Sequence, residues 1–370
     1  MSGKPHITAI IFVALLSMPC LCAAASTLEE ANQQTRQLIQ RVMRERRIPG
    51  LQIAVVKEER VVLSESYGLG NVENRVPATG ATLFPINSAT KSFTGVAMMQ
   101  LAEAGRVDLD APVSRYLADL PEAWRQVRIR QLLAHTSGLA NIVDRQGLIG
   151  GGTESDAWEA VKARPMDAPI GEKFAYNQTN YGLLAKIITK QAEMPYEQYF
   201  AKRQFAVADM RATTFGDSYD LVPNAATIYS YSRRRARVDS DDNRLAHWFD
   251  DLPPGLRTGG GIQTTADELA RWIIALFEGR LISPASVESM WVPEKLSSGA
   301  EGKWAAGWPV LDASPGNRQV AGIGGGRAAF VIYPDDRLAI IVLTNLVGAS
   351  PEGFIPEIAE FYKPLPPARP

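Results

Sequence analysis

Cysteine is almost missing from this chain: 370 residues hold two, Cys20 and Cys22. Histidine is nearly as scarce, with His6, His135 and His247 the only three. Both cysteines fall in a segment that reads as a secretory leader. Lys4 and His6 precede an apolar stretch from Ile7 to Cys22, which ends in Ala23-Ala24-Ala25. A retained membrane anchor is the other reading of that stretch. It is short for a span, and the small residues at its exit favour cleavage near Ala25. Pro19 and Leu21 stand before the cysteines where a lipid-attachment signal wants a small residue. Cleavage leaves a periplasmic or secreted chain with no cysteine and no stable membrane span, which excludes disulfides, thiol nucleophiles and cysteine–zinc sites. Two remaining histidines cannot build a multi-histidine metal site. No Gly-x-Ser-x-Gly elbow is present to serve a Ser-His-Asp triad. We therefore expect no metal and no cofactor.

Charge is also nearly absent in sum, at -1, which gives nucleic acid or an anionic membrane no support as partner. The run Arg233-Arg234-Arg235 could face a polyanion, but Asp239, Asp241 and Asp242 follow it. A solvated loop of mixed charge accounts for both. The three aspartates lack the glycine and distal glutamate of a calcium loop. A small-molecule substrate is the expected partner, and its chemistry falls to Ser, Lys, Tyr, Asp, Glu or Arg.

Hydrophobic patterning supplies the scaffold. Leu28 to Arg47 reads as an amphipathic helix closed by Pro49-Gly50. The β-branched runs Leu51–Val56 and Val61–Tyr67 flank a polar turn and predict a hairpin. From Ser88 to Gly105 the period turns helical, with Phe93, Val96, Ala97, Leu101 and Ala104 on one face. Thr265 to Phe277 is another helix, capped by Thr264 or Thr265. Strands return at Trp304–Val310, Gln319–Ala321, Ala328–Tyr333 and Ala339–Thr344, and Pro351–Tyr362 closes with a helix. Strands thus come from both ends and helices fill roughly 107–250, with no internal repeat. The economical assembly is one antiparallel sheet flanked by the terminal helices, with a helical part beside it and a site in the cleft between.

Ser88-Ala-Thr-Lys91 is the only Ser-x-x-Lys in the chain. Residues three apart share a helix face, so Lys91 can reach back to Ser88. The positive end of the helix disfavours an ammonium there, and a neutral lysine can act as base toward the serine. Ser88 as a plain N-cap explains the same residues equally well.

With these residues in view, the sequence resembles the serine β-lactamase and penicillin-binding-protein superfamily, including its class C enzymes, D-Ala-D-Ala carboxypeptidases and related esterases. The resemblance runs over roughly 30–363. Besides Ser88-Ala-Thr-Lys91 it rests on Gln131-Leu-Leu-Ala-His-Thr-Ser-Gly-Leu139, Phe174-Ala-Tyr-Asn-Gln-Thr-Asn-Tyr-Gly-Leu-Leu184 and Gly259-Gly-Gly-Ile-Gln-Thr-Thr-Ala-Asp-Glu-Leu269. Gly324-Gly-Gly-Arg-Ala-Ala-Phe330 and Val342-Leu-Thr-Asn345 complete it. It implies an α/β (α+β) fold of the β-lactamase/transpeptidase type: one catalytic domain over 26–370, with the sheet part at about 30–87 and 259–365 and a helical subdomain at about 107–250.

The resemblance implies a nucleophile at Ser88 and proton transfer by Lys91 and Tyr176, the phenol being partly ionised by its cationic neighbour and taking the serine proton. Tyr176 as an ordinary core or rim tyrosine is the competing reading. The implied oxyanion hole is the Ser88 N–H with that of Gly326, and Gly325 and Arg327 would line the substrate side. Two positions depart from the family pattern. Gln178 stands where Tyr-x-Asn has asparagine, keeping the amide on a longer arm. In the Lys/His-x-Gly strand motif the basic residue is replaced by Ile323 or, one residue earlier, by Gly322. That loss weakens β-lactam recognition, so the expectation is an exported serine hydrolase of esters or amides, with D-peptides and β-lactams also open. The alternative is a penicillin-binding or acyl-trapping receptor with little turnover. Arg327 could supply the missing charge or simply face solvent. His135 is expected in a structural turn, and His247 at the cleft or the surface.

Overall fold

The computed structural model describes residues 19–144, 147–232 and 244–363, with side chains from residue 27 onward. Most of the expected leader, the Arg233–Arg235 run and Asp239, Asp241 and Asp242 lie outside the described residues. Among the described residues no helix is long and apolar enough to cross a membrane.

The N-terminal part gives α1 (Pro19–Glu45) and a hairpin of β1 (Gly50–Lys57) and β2 (Arg60–Asn71), with a short edge strand β3 (Val76–Pro77). The C-terminal part gives β4 (Val310–Asp312), β5 (Gln319–Gly324), β6 (Ala328–Tyr333) and β7 (Leu338–Thr344). These seven form one antiparallel sheet in the order β4-β5-β6-β7-β1-β2-β3. The two ends of the chain meet where β1 pairs with β7, from Leu51 opposite Thr344 to Lys57 opposite Leu338.

Central strands read as unbroken apolar runs because both faces are covered. Ile53 and Val55 of β1, with Ile340 and Val342 of β7, pack against Ile39 and Val42 of α1 and Ile358 of α5 (Ile355–Tyr362). The alternate residues Ala54, Val56, Ile341 and Leu343 pack on the opposite side with Leu269, Trp272 and Ile273 of α4 (Ala266–Phe277) and with α2 (Thr90–Glu103). Phe93 of α2 stacks on Trp272 of α4 at 3.9 Å, which locks these helices together. Thr265 caps α4 by accepting from the Glu268 N–H at 3.1 Å.

Two elements differ from the sequence reading. α2 is not buried on one face only: every residue from Thr90 to Leu101 is buried, while Ala104 is exposed. The helix runs through the middle of the molecule, between the sheet and α3 (Gln178–Ala192), so its polar residues are interior too. Trp304–Val310 is a loop rather than a strand. Its Ala305 N–H turns back to the Trp308 carbonyl at 2.9 Å, leaving a single bridge between Trp304 and Pro309, and Pro309 has no N–H for a ladder, so the strand proper starts at Val310.

Candidate active site

Ser88 lies in a single 3-10 turn, Asn87–Ala89, between the short strand Phe84–Pro85 and α2. That strand is held by Ile262–Thr264, which also pairs with Thr214–Phe215. Asn87 carries φ 44°, a conformation uncommon outside glycine, immediately before the serine. Neither the 3-10 turn nor α2 has a side-chain cap, and their N-caps are Ile86 and Ala89. Ser88 is therefore not an N-cap. Its hydroxyl instead accepts from the Tyr176 phenol, Oη to Oγ 2.7 Å.

Lys91 is 0% exposed, in the first turn of α2. Its Nζ donates to Gln178 Oε1 at 3.0 Å and to the Gly259 carbonyl at 2.6 Å, and it sits 4.7 Å from the centre of the Tyr176 ring. Burial with no carboxylate beside it drives the Lys91 amine well below the ordinary lysine range. A neutral amine has two hydrogens, and Gln178 and Gly259 take both. The lone pair is left over.

Tyr176 precedes α3, whose first turn is capped by the neighbouring Asn177 accepting from the Asn180 N–H at 3.3 Å. As a residue it is 41% exposed, but its oxygen is the crowded end, against Ser88 and the Lys91 side of the cleft. Desolvation pushes the phenol up to about 12, with the Ser88 bond opposing in part. Both directions run against the partial phenolate that the resemblance implies, because a lysine whose charged form is disfavoured does little to draw the phenol proton off. Gln178, on its longer arm, still reaches Lys91.

His135 is buried in a left-handed turn, φ 58°, where Nδ1 accepts from the Asn177 N–H at 3.1 Å. Its ring stacks 4.4 Å from that of Tyr176, with Trp304 edge-on at 4.8 Å and Phe174 at 5.9 Å. Burial depresses its pKa well below the usual histidine range, so it packs as a neutral ring behind the tyrosine. His247 is exposed, bonded to Glu73 at 2.9 Å, and lines a cavity of about 390 Å³ with Asn87, Trp248 and Asp250. Ser88, Lys91 and Tyr176 do not line that cavity.

The strand side of the site is β5 and its turn. A Cβ on Gly324 would fall 2.8 Å from the Ser88 nitrogen and 1.9 Å from the Ile86 carbonyl, so backbone meets backbone there. Gly325 and Gly326, at φ 60° and 61°, close the two-residue turn to β6, with the Arg327 N–H reaching the Gly324 carbonyl at 3.1 Å. The pleat gives Ile323 and Gly322 different surroundings. Ile323 points with Ala321 to the α1/α5 face, whereas Gly322 shares the Ser88-facing side with Gly324. A side chain at 322 has no room, because its Cβ would meet the Phe330 ring at 2.2 Å. Phe330, opposite Gly322 in the ladder and fully buried, fills the space beside that glycine. Arg327 does not replace it. Its side chain is 1% exposed and turned away into an ion pair with Asp250. Among the described residues no cluster of three or more carboxylates or histidines could hold a metal.

The Beta-lactamase family model matches residues 35–360. The chain belongs to the beta-lactamase family. It is 31% identical over 250 residues to "Protein flp" of Staphylococcus aureus strain MW2, covering 66% of this chain and 48% of that protein. The chain therefore spans about half the length of this curated relative. Among solved structures it resembles an octameric penicillin-binding protein homologue from Pyrococcus abyssi, at TM-score 0.72 and 28% identity, over 89% of this chain and 76% of that one. It also matches EstCE1, described as a hydrolase with promiscuous acyltransferase activity, at TM-score 0.74 and 20% identity over 92% and 99% of the two chains; this likeness speaks to fold alone. The fold is the β-lactamase/transpeptidase type. Within the site of this family member, motif reading missed the Gly259 carbonyl as a Lys91 acceptor, although Gly259 opened a recognised segment. Phe174 opened a recognised segment without a role there, and Asn87, Asp250 and Trp304 gave no signal in the sequence beyond their neighbourhood to motifs.

Proposed function

We propose that the protein is an exported serine hydrolase working through an acyl-enzyme on Ser88. The observation that carries this is the Tyr176–Ser88 hydrogen bond beside a fully buried, carboxylate-free lysine. The protonation states favour a definite order. As Ser88 Oγ attacks the acyl carbon, its proton passes to the Lys91 lone pair, directly or through the phenol. Tyr176 donates its own proton to the departing alcohol or amine and is restored from the Lys91 ammonium. Water then attacks the ester on Ser88, giving one proton back to the serine oxygen as the acid leaves. The developing oxyanion is taken by the Ser88 N–H and an N–H of the Gly325–Gly326 turn, with Gly326 the motif-based candidate. Gln178 holds Lys91, and Arg327 acts from behind the turn.

The strand offers no cation on its Ser88 side, and Phe174 and Trp304 present ring surface next to Tyr176. Both features favour an uncharged ester over a carboxylate-bearing β-lactam or D-peptide. The test is turnover of p-nitrophenyl acetate and butyrate by the purified mature chain. Many turnovers per enzyme are expected, and Ser88→Ala should lower kcat by about a thousandfold or more. Comparable turnover in Ser88→Ala sinks the mechanism. A single stoichiometric burst would instead make the protein an acyl trap.

A further inference from the structure

Among the described residues Arg327 is the one buried guanidinium, and its partner Asp250 belongs to no motif. The Asp250 carboxylate is shared. Oδ2 takes the Arg327 ion pair and also accepts from Asn87 Nδ2 at 3.1 Å, while Oδ1 accepts from Trp248 Nε1 at 2.9 Å. The Asp250 backbone is itself pinned, donating to Ser218 Oγ at 2.8 Å and accepting from the Ser218 N–H at 3.1 Å. Asn87 precedes Ser88 and carries the positive φ of 44°. Its side-chain oxygen lies over Gly325: a Cβ there would meet Asn87 Oδ1 at 2.7 Å and the Arg327 guanidinium carbon at 3.2 Å. One carboxylate thus ties the residue before the nucleophile to the residue that ends the Gly324–Arg327 turn.

Accepting the Ser88 acyl-enzyme reading, we propose that Asp250 is a positioning residue. With Arg327 behind it and Asn87 in front, it fixes the backbone that presents Ser88 against the glycine turn. Asparagine tolerates positive φ better than other side chains, and the bond to Asp250 holds Asn87 in that one conformation. The distance between the Ser88 N–H and the turn amides then depends on a chain of contacts that substrate does not touch. Burial pushes the Asp250 carboxyl up, but the Arg327 charge and the Asn87 and Trp248 bonds outweigh it and keep the group ionised.

The experiment compares Asn87→Gly, Arg327→Met and the double variant Asp250→Asn/Arg327→Met with the intact protein. Readouts are kcat and KM for p-nitrophenyl butyrate, the rate of Ser88 labelling by a fluorophosphonate, and the thermal midpoint. Asn87→Gly is the decisive variant, because glycine accepts the positive φ without strain and the fold should survive. Each variant should lose about tenfold to a hundredfold in kcat and in labelling rate, with KM within about threefold, as expected when reacting groups are slightly misplaced. Folded Asn87→Gly with unchanged kcat and labelling overturns the proposal, as does a loss confined to KM. If the intact protein is not labelled at Ser88, the acyl-enzyme reading itself has failed. Should Arg327→Met not fold, Asn87→Gly still decides.

Discussion

The two walls of the cleft are built on opposite principles. The helix wall, with Ser88, Lys91, Tyr176 and Gln178, is made of side chains that meet one another directly, at 2.7 and 3.0 Å. The strand wall, Gly322 to Gly326, is bare backbone, and its one nearby cation is withdrawn into a pair with Asp250. Proton chemistry needs specific atoms in contact, so the helix wall keeps its reactive residues. Recognition depends on what fills the space, and beside Gly322 on the strand wall that is Phe330. On the proposed reading, the mechanism and the choice of substrate are therefore separable.

The largest effects should come from the helix wall. Lys91→Met removes the lone pair while keeping length and apolar bulk, and should cost kcat about a hundredfold to ten-thousandfold, the usual range for a lost general base. Lys91→Arg should be equally inactive at every pH, since a guanidinium does not give up its proton. Retention of more than a tenth of the activity by either variant would remove Lys91 from proton transfer. Next is Tyr176→Phe, expected to lose about a hundredfold with alkoxide leaving groups and less with p-nitrophenolate, which departs without a proton. Equal losses on both would deny Tyr176 its role as acid.

The pH profile tests the same wall without mutation. The active form has Lys91 neutral and Tyr176 protonated. Activity should rise as pH passes the depressed Lys91 value, below the ordinary lysine range, and hold until pH approaches about 12, where the phenol ionises. In practice alkaline unfolding will cut off the upper limb first. Had the phenolate been the base, the rising limb would track tyrosine ionisation instead. A kcat/KM that climbs steadily through pH 10 to 12 favours the phenolate as base.

The sequence made the scaffold readable where one period dominates. β-branched runs placed the hairpin and β6 and β7, and Thr265 announced α4. It misjudged places where tertiary packing overrides the period: α2 is buried all round, so its amphipathic stripe was only part of its interior surface, and Pro309 denied a strand to Trp304–Val310. In the site, Ser88, Lys91 and Tyr176 were legible because their spacing is local to recognisable segments. Which residue of the strand faces the Ser88 side was not, because Ile323 and Gly322 differ only by which face of the pleat they take. Asp250 was invisible for a plainer reason. Its partners, Asn87 and Arg327, lie 163 and 77 residues away in sequence and converge only in the fold.

The smallest predicted effect probes the strand wall and uses no variant at all. A matched pair of substrates, a free carboxylate and its methyl ester with the same reacting ester, should be hydrolysed with the neutral member favoured by about threefold to tenfold in kcat/KM. A buried carboxylate without a partner costs free energy, and no basic side chain on the Ser88 face of β5 offsets it. Lys173 and Lys303 are exposed beside Phe174 and Trp304 in the chain, and attraction from exposed lysines is worth at most about 1 kcal/mol and is screened by salt. Raising the ionic strength should therefore widen the preference for the neutral substrate if these lysines contribute, and leave it unchanged if they do not. A preference for the free carboxylate that persists at high salt would require a desolvated cation in the cleft, and the separation of mechanism from recognition would then be lost.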